Sequence, residues 1–250
     1  MKQSVSEWIG LIRSLVVYRR PGRQRGLRRL YAPFVREGDL VFDVGAHLGD
    51  RSVAFAALGA RVIAFEPQPH IARLLRLLVG SSERITVREE AVGARPGTEH
   101  LAISRRTPTV STLSGPWRKQ LAQTNAGFRS VQWEESVPVS VVTLDGLIEC
   151  YGMPSFCKID VEGYEAEVLA GLSRPVAGVS VEFVAGQLDV ACACVTRLQE
   201  LGSYRFNVVP GERRSFAFKT WIDANAAVAW IESGADGIAS GDLYAVHDVA

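Results

Sequence analysis

The chain of 250 residues holds only four cysteines, Cys150, Cys157, Cys192 and Cys194, and none of them form a C-x-x-C pair. That spacing argues against a zinc site and against a disulfide framework. Long hydrophobic runs are missing too. The apolar stretch from Ile9 to Tyr18 is short and interrupted by Arg13, so it is not expected to span a bilayer, and no small-residue cleavage site follows it as a secretory signal requires. A cytoplasmic location is the expectation. Charge of one sign is equally scarce: 28 Lys and Arg balance 27 Asp and Glu, leaving a formal net charge of +1. No global field would attract nucleic acid, so any such partner would need a local patch. No internal repeat is visible.

What is present is apolar content, 47% of the chain, enough for one large core. The organisation expected is a single domain over 38–250 preceded by a basic helical extension over 1–37. In that extension Arg13, Arg19, Arg20, Arg23, Arg25, Arg28 and Arg29 interleave with Leu11, Ile12, Leu15, Val16, Val17 and Tyr18. The pattern suits a solvated helix face, the favoured reading, or an amphipathic segment that meets anionic lipid, an acidic substrate or a partner. Leu27, Leu30, Tyr31 and Phe34 predict a helix over 26–35, stopped near Gly38.

From residue 40 onward strand-like and helix-like segments alternate, the pattern of a doubly wound α/β fold with a mostly parallel sheet. Strands are predicted over 40–44, 62–65, 85–88, 137–143, 156–159, 179–184, 205–209 and 242–247. Helices are predicted over 50–58, 70–79, 144–149, 164–172, 190–201 and 224–233. The stretch 93–136, rich in Thr, Ser, Arg and Gly, breaks the alternation; a hairpin with a substrate-covering loop is expected there.

The first strand runs into Asp43-Val44-Gly45-Ala46-His47-Leu48-Gly49. Glycines at the end of an apolar strand let the backbone turn sharply and approach a ligand, with helix N–H groups following. The spacing is not the G-x-G-x-x-G of a pyrophosphate cradle. The next strand ends in Glu66, about 20 residues past the first glycine, where such folds place an acid on ribose hydroxyls. An adenosine ligand without a diphosphate fits both features, and S-adenosylmethionine is such a ligand. An NAD-dependent oxidoreductase is the alternative that Glu66 also suits, and the missing G-x-G-x-x-G weighs against it.

A second motif, Lys158-Ile159-Asp160-Val161-Glu162-Gly163-Tyr164-Glu165, marks another strand-to-helix junction. Lys158 and Asp160 share one side of the strand by its two-residue period, so two charges must pair or bind something. Capping carboxylates explain Glu162 and Glu165 well, and Asp160 less well. The following strand brings Glu182 to the adjoining strand end, beside Asp160.

Together, Val41 to Ala46, Phe65-Glu66-Pro67, Ser111-Thr112-Leu113, Val142-Thr143-Leu144-Asp145, Lys158 to Glu165 and Gly241 to Ala245 resemble the FkbM-type methyltransferases. The resemblance covers residues 38 to 247, and the Lys-Ile-Asp-Val-Glu-Gly block is its most specific part. It implies a Rossmann-like class I S-adenosylmethionine-dependent methyltransferase fold, seven strands with the last antiparallel, and O-methylation of a sugar, glycolipid or polyketide-type product. It would set Asp43, Gly45, Ala46 and Gly49 along the methionine end, Glu66 on the ribose, and Glu90 with Ala91 at the adenine edge. His47, where many relatives have Asn, is kept in the cofactor-binding turn, as a turn residue rather than a group near the sulfonium.

The resemblance settles no base. A sugar hydroxyl is weakly acidic and benefits from a carboxylate or histidine base, or from a divalent ion held by carboxylates that lowers its pKa. Asp160 is the first candidate for either role, with Glu182 as partner and Lys158 balancing charge; whether a metal takes part is left open. A non-catalytic binding module that keeps the fold and docks through its arginines is the alternative from another class. A nucleic-acid methyltransferase is disfavoured, because the chain has no Asn-Pro-Pro-aromatic tetrad for a flipped base.

Overall fold

The computed structural model describes residues 22–80, 82–105, 107–124 and 131–248. The stretch from Ile9 to Tyr18, with Arg13, Arg19 and Arg20, lies outside them. The first described helix, α1 (Arg23–Tyr31), precedes β1 (Leu40–Val44), α2 (Asp50–Ala57), β2 (Arg61–Phe65), α3 (Pro69–Val79) and β3 (Ile85–Arg88). Then come β4 (Ala91–Val92), β5 (Gly97–Ile103), α4 (Gly115–Thr124), β6 (Glu135–Val142), α5 (Leu144–Tyr151) and β7 (Phe156–Ile159). The chain continues through α6 (Glu165–Ala170), β8 (Gly178–Val184), α7 (Leu188–Leu201), β9 (Tyr204–Pro210), α8 (Ala224–Glu232) and β10 (Ser240–His247).

Seven strands form one sheet in the order β3-β2-β1-β7-β8-β10-β9. Pairing is parallel from β3 to β8, and β10, the last strand in the chain, runs antiparallel between β8 and β9. This is the doubly wound sheet read from the alternation of segments. The pleat of β1 explains its two-sided burial: Phe42 and Val44 enter one core with α5, α6, α7 and α8, while Val41 enters the other with Leu27, Leu30, Tyr31 and Phe55 of α1 and α2. Tyr31 is 1% exposed, its ring 4.4 Å from that of Phe55 and within ring contact of Phe156 and Tyr244. Arg25, Arg28 and Arg29 are exposed on α1, but Arg23 is buried: it donates to Asp50 and, at 2.9 Å, to Glu212.

In place of a hairpin within 93–136, β5 pairs antiparallel with β6, the strand expected at 137–143, in a separate sheet of three strands, β4-β6-β5, with β4 parallel to β6. The segment between those two strands is more than a loop. It carries a one-turn 3-10 helix at Pro108–Val110 and α4, and its Trp117 is 1% exposed and meets Trp133 edge-on at 6.1 Å. All four cysteines are free thiols, Cys157 and Cys194 buried, Cys192 half-buried and Cys150 exposed. Among the described residues no helix is long and apolar enough to cross a membrane.

Candidate active site at the carboxyl ends of the strands

The carboxyl ends of β1, β2, β3, β7 and β8 open into a cavity of about 200 Å³ that the 3-10 segment covers. β1 delivers the turn that forms its floor. Gly45 has φ +82°, and a Cβ there would stand 1.8 Å from the Asp160 carbonyl oxygen, so β1 and β7 approach this closely only because that atom is missing. The Gly45 and Ala46 N–H groups both donate to the Phe65 carbonyl, at 3.0 and 2.9 Å, which ties the turn to the end of β2. Gly49, φ +80°, sits where a Cβ would be 2.5 Å from Leu75 of α3.

Glu66 follows β2 and is 2% exposed. One carboxylate oxygen accepts from the His47 N–H and the other from the Gln68 N–H, each at 2.9 Å. Burial outweighs these bonds and pushes the acid up to about 7. The two bonds fix the carboxylate beside the turn and leave each oxygen a lone pair for a hydroxyl donor. His47 itself has φ +48°, and burial lowers its imidazole to about 4, so it is neutral at physiological pH. Gln68 then links floor to cover: it donates to the Pro108 carbonyl at 3.1 Å and accepts from Ser111 Oγ at 2.9 Å. At the far rim Glu90 accepts from the Arg88 guanidinium, and Arg88 also donates to Tyr151.

The opposite end is acidic. Lys158, 1% exposed on β7, donates to Asp160 at 2.7 Å, the internal pair that the two-residue spacing anticipates. Burial opposes both charges, yet Lys158 and Arg51 hold the Asp160 carboxyl down at about 2, and Asp160 and Asp242 hold Lys158 above its usual range. Glu182 of β8, the strand beside β7, shares a hydrogen bond with Asp160. Burial and then the Asp160 charge push Glu182 and Glu162 well above the ordinary carboxylate range. Oxygens of Asp160, Glu162 and Glu182 lie within 4.8 Å of one another, a spacing that suits a hard divalent cation or a proton shared among carboxylates.

The structure brings Gly45, His47, Glu66, Glu90, Ala91, Asp160 and Glu182 to the cavity wall. Asp43, Ala46, Gly49 and Lys158 stand behind it. Asp43 is 1% exposed and accepts from Ser52 Oγ, facing Lys158 across the strand pair. Of the two acids read as capping groups, Glu165 does cap: it accepts from the N–H groups of Val161 and Gly163 at 3.0 and 3.3 Å. Glu162 instead lines the cavity in a left-handed conformation, φ +56°, with its carbonyl accepting from Thr112 Oγ1 at 2.7 Å. Sequence reasoning gave Glu162 only a capping role and gave none to Arg51, Gln68, Ser111, Thr112, Tyr164 or Glu212, which also line the cavity. The Ser111-Thr112-Leu113 run was a usable signal, since its hydroxyls are the ones that hold the cover to both strand ends.

Comparison with known proteins assigns the chain a family. The methyltransferase FkbM domain matches residues 43–216. Hexuronic acid methyltransferase AglP of Haloferax volcanii is 27% identical over 175 residues, 68% of this chain and 65% of that protein. The 31-O-demethyl-FK506 methyltransferase FkbM of Streptomyces tacrolimicus is 33% identical over 167 residues, 55% of this chain and 61% of that protein. The chain therefore spans just under two thirds of the length of each of these relatives. Among solved structures, precorrin-6Y C5,15-methyltransferase from Geobacter metallireducens superposes with a TM-score of 0.48 at 13% identity, covering 90% of this chain and 86% of that one. With a domain match that takes in both the Gly45 turn and the Asp160 cluster, the chain belongs to the methyltransferase FkbM domain family.

Proposed function

We propose that this protein is an S-adenosylmethionine-dependent O-methyltransferase whose acceptor is a hydroxyl on a sugar, glycolipid or polyketide-type product. The observation that carries the reading is the joining of the Gly45 turn to Glu66 through the His47 N–H in a chain of this family. The turn offers a backbone surface with no side chain in the way, and Glu66 offers a fixed carboxylate for a ribose diol. Glu90 and Ala91 close the adenine edge, while Asp43, Ala46 and Gly49 shape the turn from behind. The relatives' names give hexuronic acid and 31-O-demethyl-FK506 as the acceptors of those proteins, which supports a small hydroxylated acceptor here.

When bound, the cofactor supplies a methyl group on a sulfonium, a good leaving group. The protein's remaining tasks are alignment of the acceptor oxygen and removal of its proton. Asp160 is assigned the second task. Its low pKa does not disqualify it, because a hydroxyl oxygen becomes strongly acidic as its new C–O bond forms. Lys158 keeps Asp160 ionised and in place, and Glu182 shares its charge by hydrogen bond. The covering segment at Pro108 to Leu113 shields the site from water.

Location in the cytoplasm, with the arginine-rich N-terminus resting on an anionic surface, is part of the same proposal; the exposed Arg25, Arg28 and Arg29 support it. Methyl-labelled cofactor incubated with a panel of glycosides and macrolides tests the activity. Label is expected on an acceptor oxygen, and Asp160→Asn should bind cofactor normally while turnover falls by about 100-fold or more. Transfer to nitrogen would contradict O-methylation, and full turnover by the variant would remove Asp160 from the mechanism.

A further inference from the structure

Arg51 is the one lysine or arginine among the described residues that line the cavity, whose carboxylates are Glu66, Glu90, Asp160, Glu162, Glu182 and Glu212. It stands at the second position of α2, directly after the Gly45 to Gly49 turn. Its ion pair, to Asp50, is 3.7 Å long, beyond hydrogen-bond length, and that carboxylate is already engaged by Arg23 and by Gln24 at 2.8 Å. Arg51 Nε is buried without a hydrogen-bond partner. Asp160, Asp242 and Glu212 act on this guanidinium through space, but among the described residues none gives it the planar, two-pronged hydrogen bond that its donors match best. Leaving such a donor unmet costs free energy, so an arriving carboxylate gains from satisfying it.

The position of Arg51 narrows which carboxylate that is. Glu66 lies at one end of the Gly45 turn and Arg51 at the other, on the helix that the turn begins. A ligand with its ribose on Glu66 and its tail along the turn brings the end of that tail toward α2. S-adenosylmethionine carries a carboxylate at that end, and a helix N-terminus adds a favourable field for it. Resting on the cofactor reading above, we propose that Arg51 binds the carboxylate of the cofactor's methionine moiety and so sets which adenosyl thioethers the protein retains.

The test compares S-adenosylhomocysteine with its decarboxylated analogue by titration calorimetry, on the wild-type chain, Arg51→Met and Arg51→Lys. Wild type should bind S-adenosylhomocysteine about 10- to 100-fold more tightly than the analogue, the scale of one charge-assisted pair. Arg51→Met should lose that preference while binding the analogue within about twofold of wild type, and Arg51→Lys should recover part of it. Equal loss for both ligands would mean that Arg51 only supports the fold of the site. An unchanged preference in Arg51→Met would overturn the assignment and leave the cofactor reading standing. Failure of wild type to bind either ligand would overturn the cofactor reading and this assignment with it.

Discussion

Glu66 shows how one residue's surroundings set a measurable pH dependence. Burial raises its carboxyl to about 7, so near neutrality the empty site holds a mixture of acid and carboxylate. In the proposed binding mode a ribose diol donates to the carboxylate, so binding releases a proton below that value. Affinity for S-adenosylhomocysteine is expected to rise about tenfold per pH unit on the acid side of 7 and to level off above it, as followed by calorimetry in buffers of different ionisation enthalpy. The sign for folding is the reverse. A carboxyl whose folded pKa is raised stabilises the chain below its ordinary value of 4.5, and that contribution is lost as pH climbs through about 7; Glu165, raised to about 7 by burial, acts in the same window. Thermal stability of the ligand-free protein should accordingly decline between pH 5 and 7.5. Glu66 was legible in the sequence because it combines strand end, spacing and charge. Glu162 was not: its carboxylate reaches the cavity only because the backbone there turns left-handed, and a Lys-Ile-Asp-Val-Glu-Gly string read as strand then helix gives no sign of that.

At the scale of elements, strands and helices of the doubly wound core were readable within a few residues, since its central strands read as short apolar runs buried on both faces and its helices as apolar stripes of 3.6-residue period. The small second sheet and α4 were less so. β5 alternates over a run that contains Gly97, Glu99 and His100, and α4 begins Gly-Pro, so neither shows a clean apolar stripe. Contact with the rest of the molecule sustains them. Trp117 fills the space above Gly163, where a Cβ would come within 1.9 Å of its indole, and Gly163 belongs to the same loop as Glu162. Trp117→Ala should cost about 3–5 kcal/mol of local or global stability, the price of emptying a buried indole site. Faster proteolysis in the 107–134 segment together with weaker cofactor binding is the expected result. Intact binding in that variant would mean the cover does not depend on its tryptophan.

For the whole molecule, the first described helix, α1, belongs to the same core as the sheet. Arg23 links α1 to α2 and to Glu212 on the cavity rim, and Tyr31 seats against Phe55, Phe156 and Tyr244. Arg23 looked in the sequence like one more member of a basic surface, because an arginine's charge says nothing of which side of a helix faces acids. Tyr31→Ala is predicted to destabilise the protein by about 3–5 kcal/mol in urea unfolding. Family membership and site geometry converge on one cofactor, and a single titration puts that claim at risk. S-adenosylhomocysteine should bind the purified protein at micromolar concentration, with NAD binding far more weakly and Glu66→Ala reducing the affinity at least about tenfold, the loss of a charged hydrogen-bond acceptor. Absence of S-adenosylhomocysteine binding, or binding indifferent to Glu66, would contradict the account.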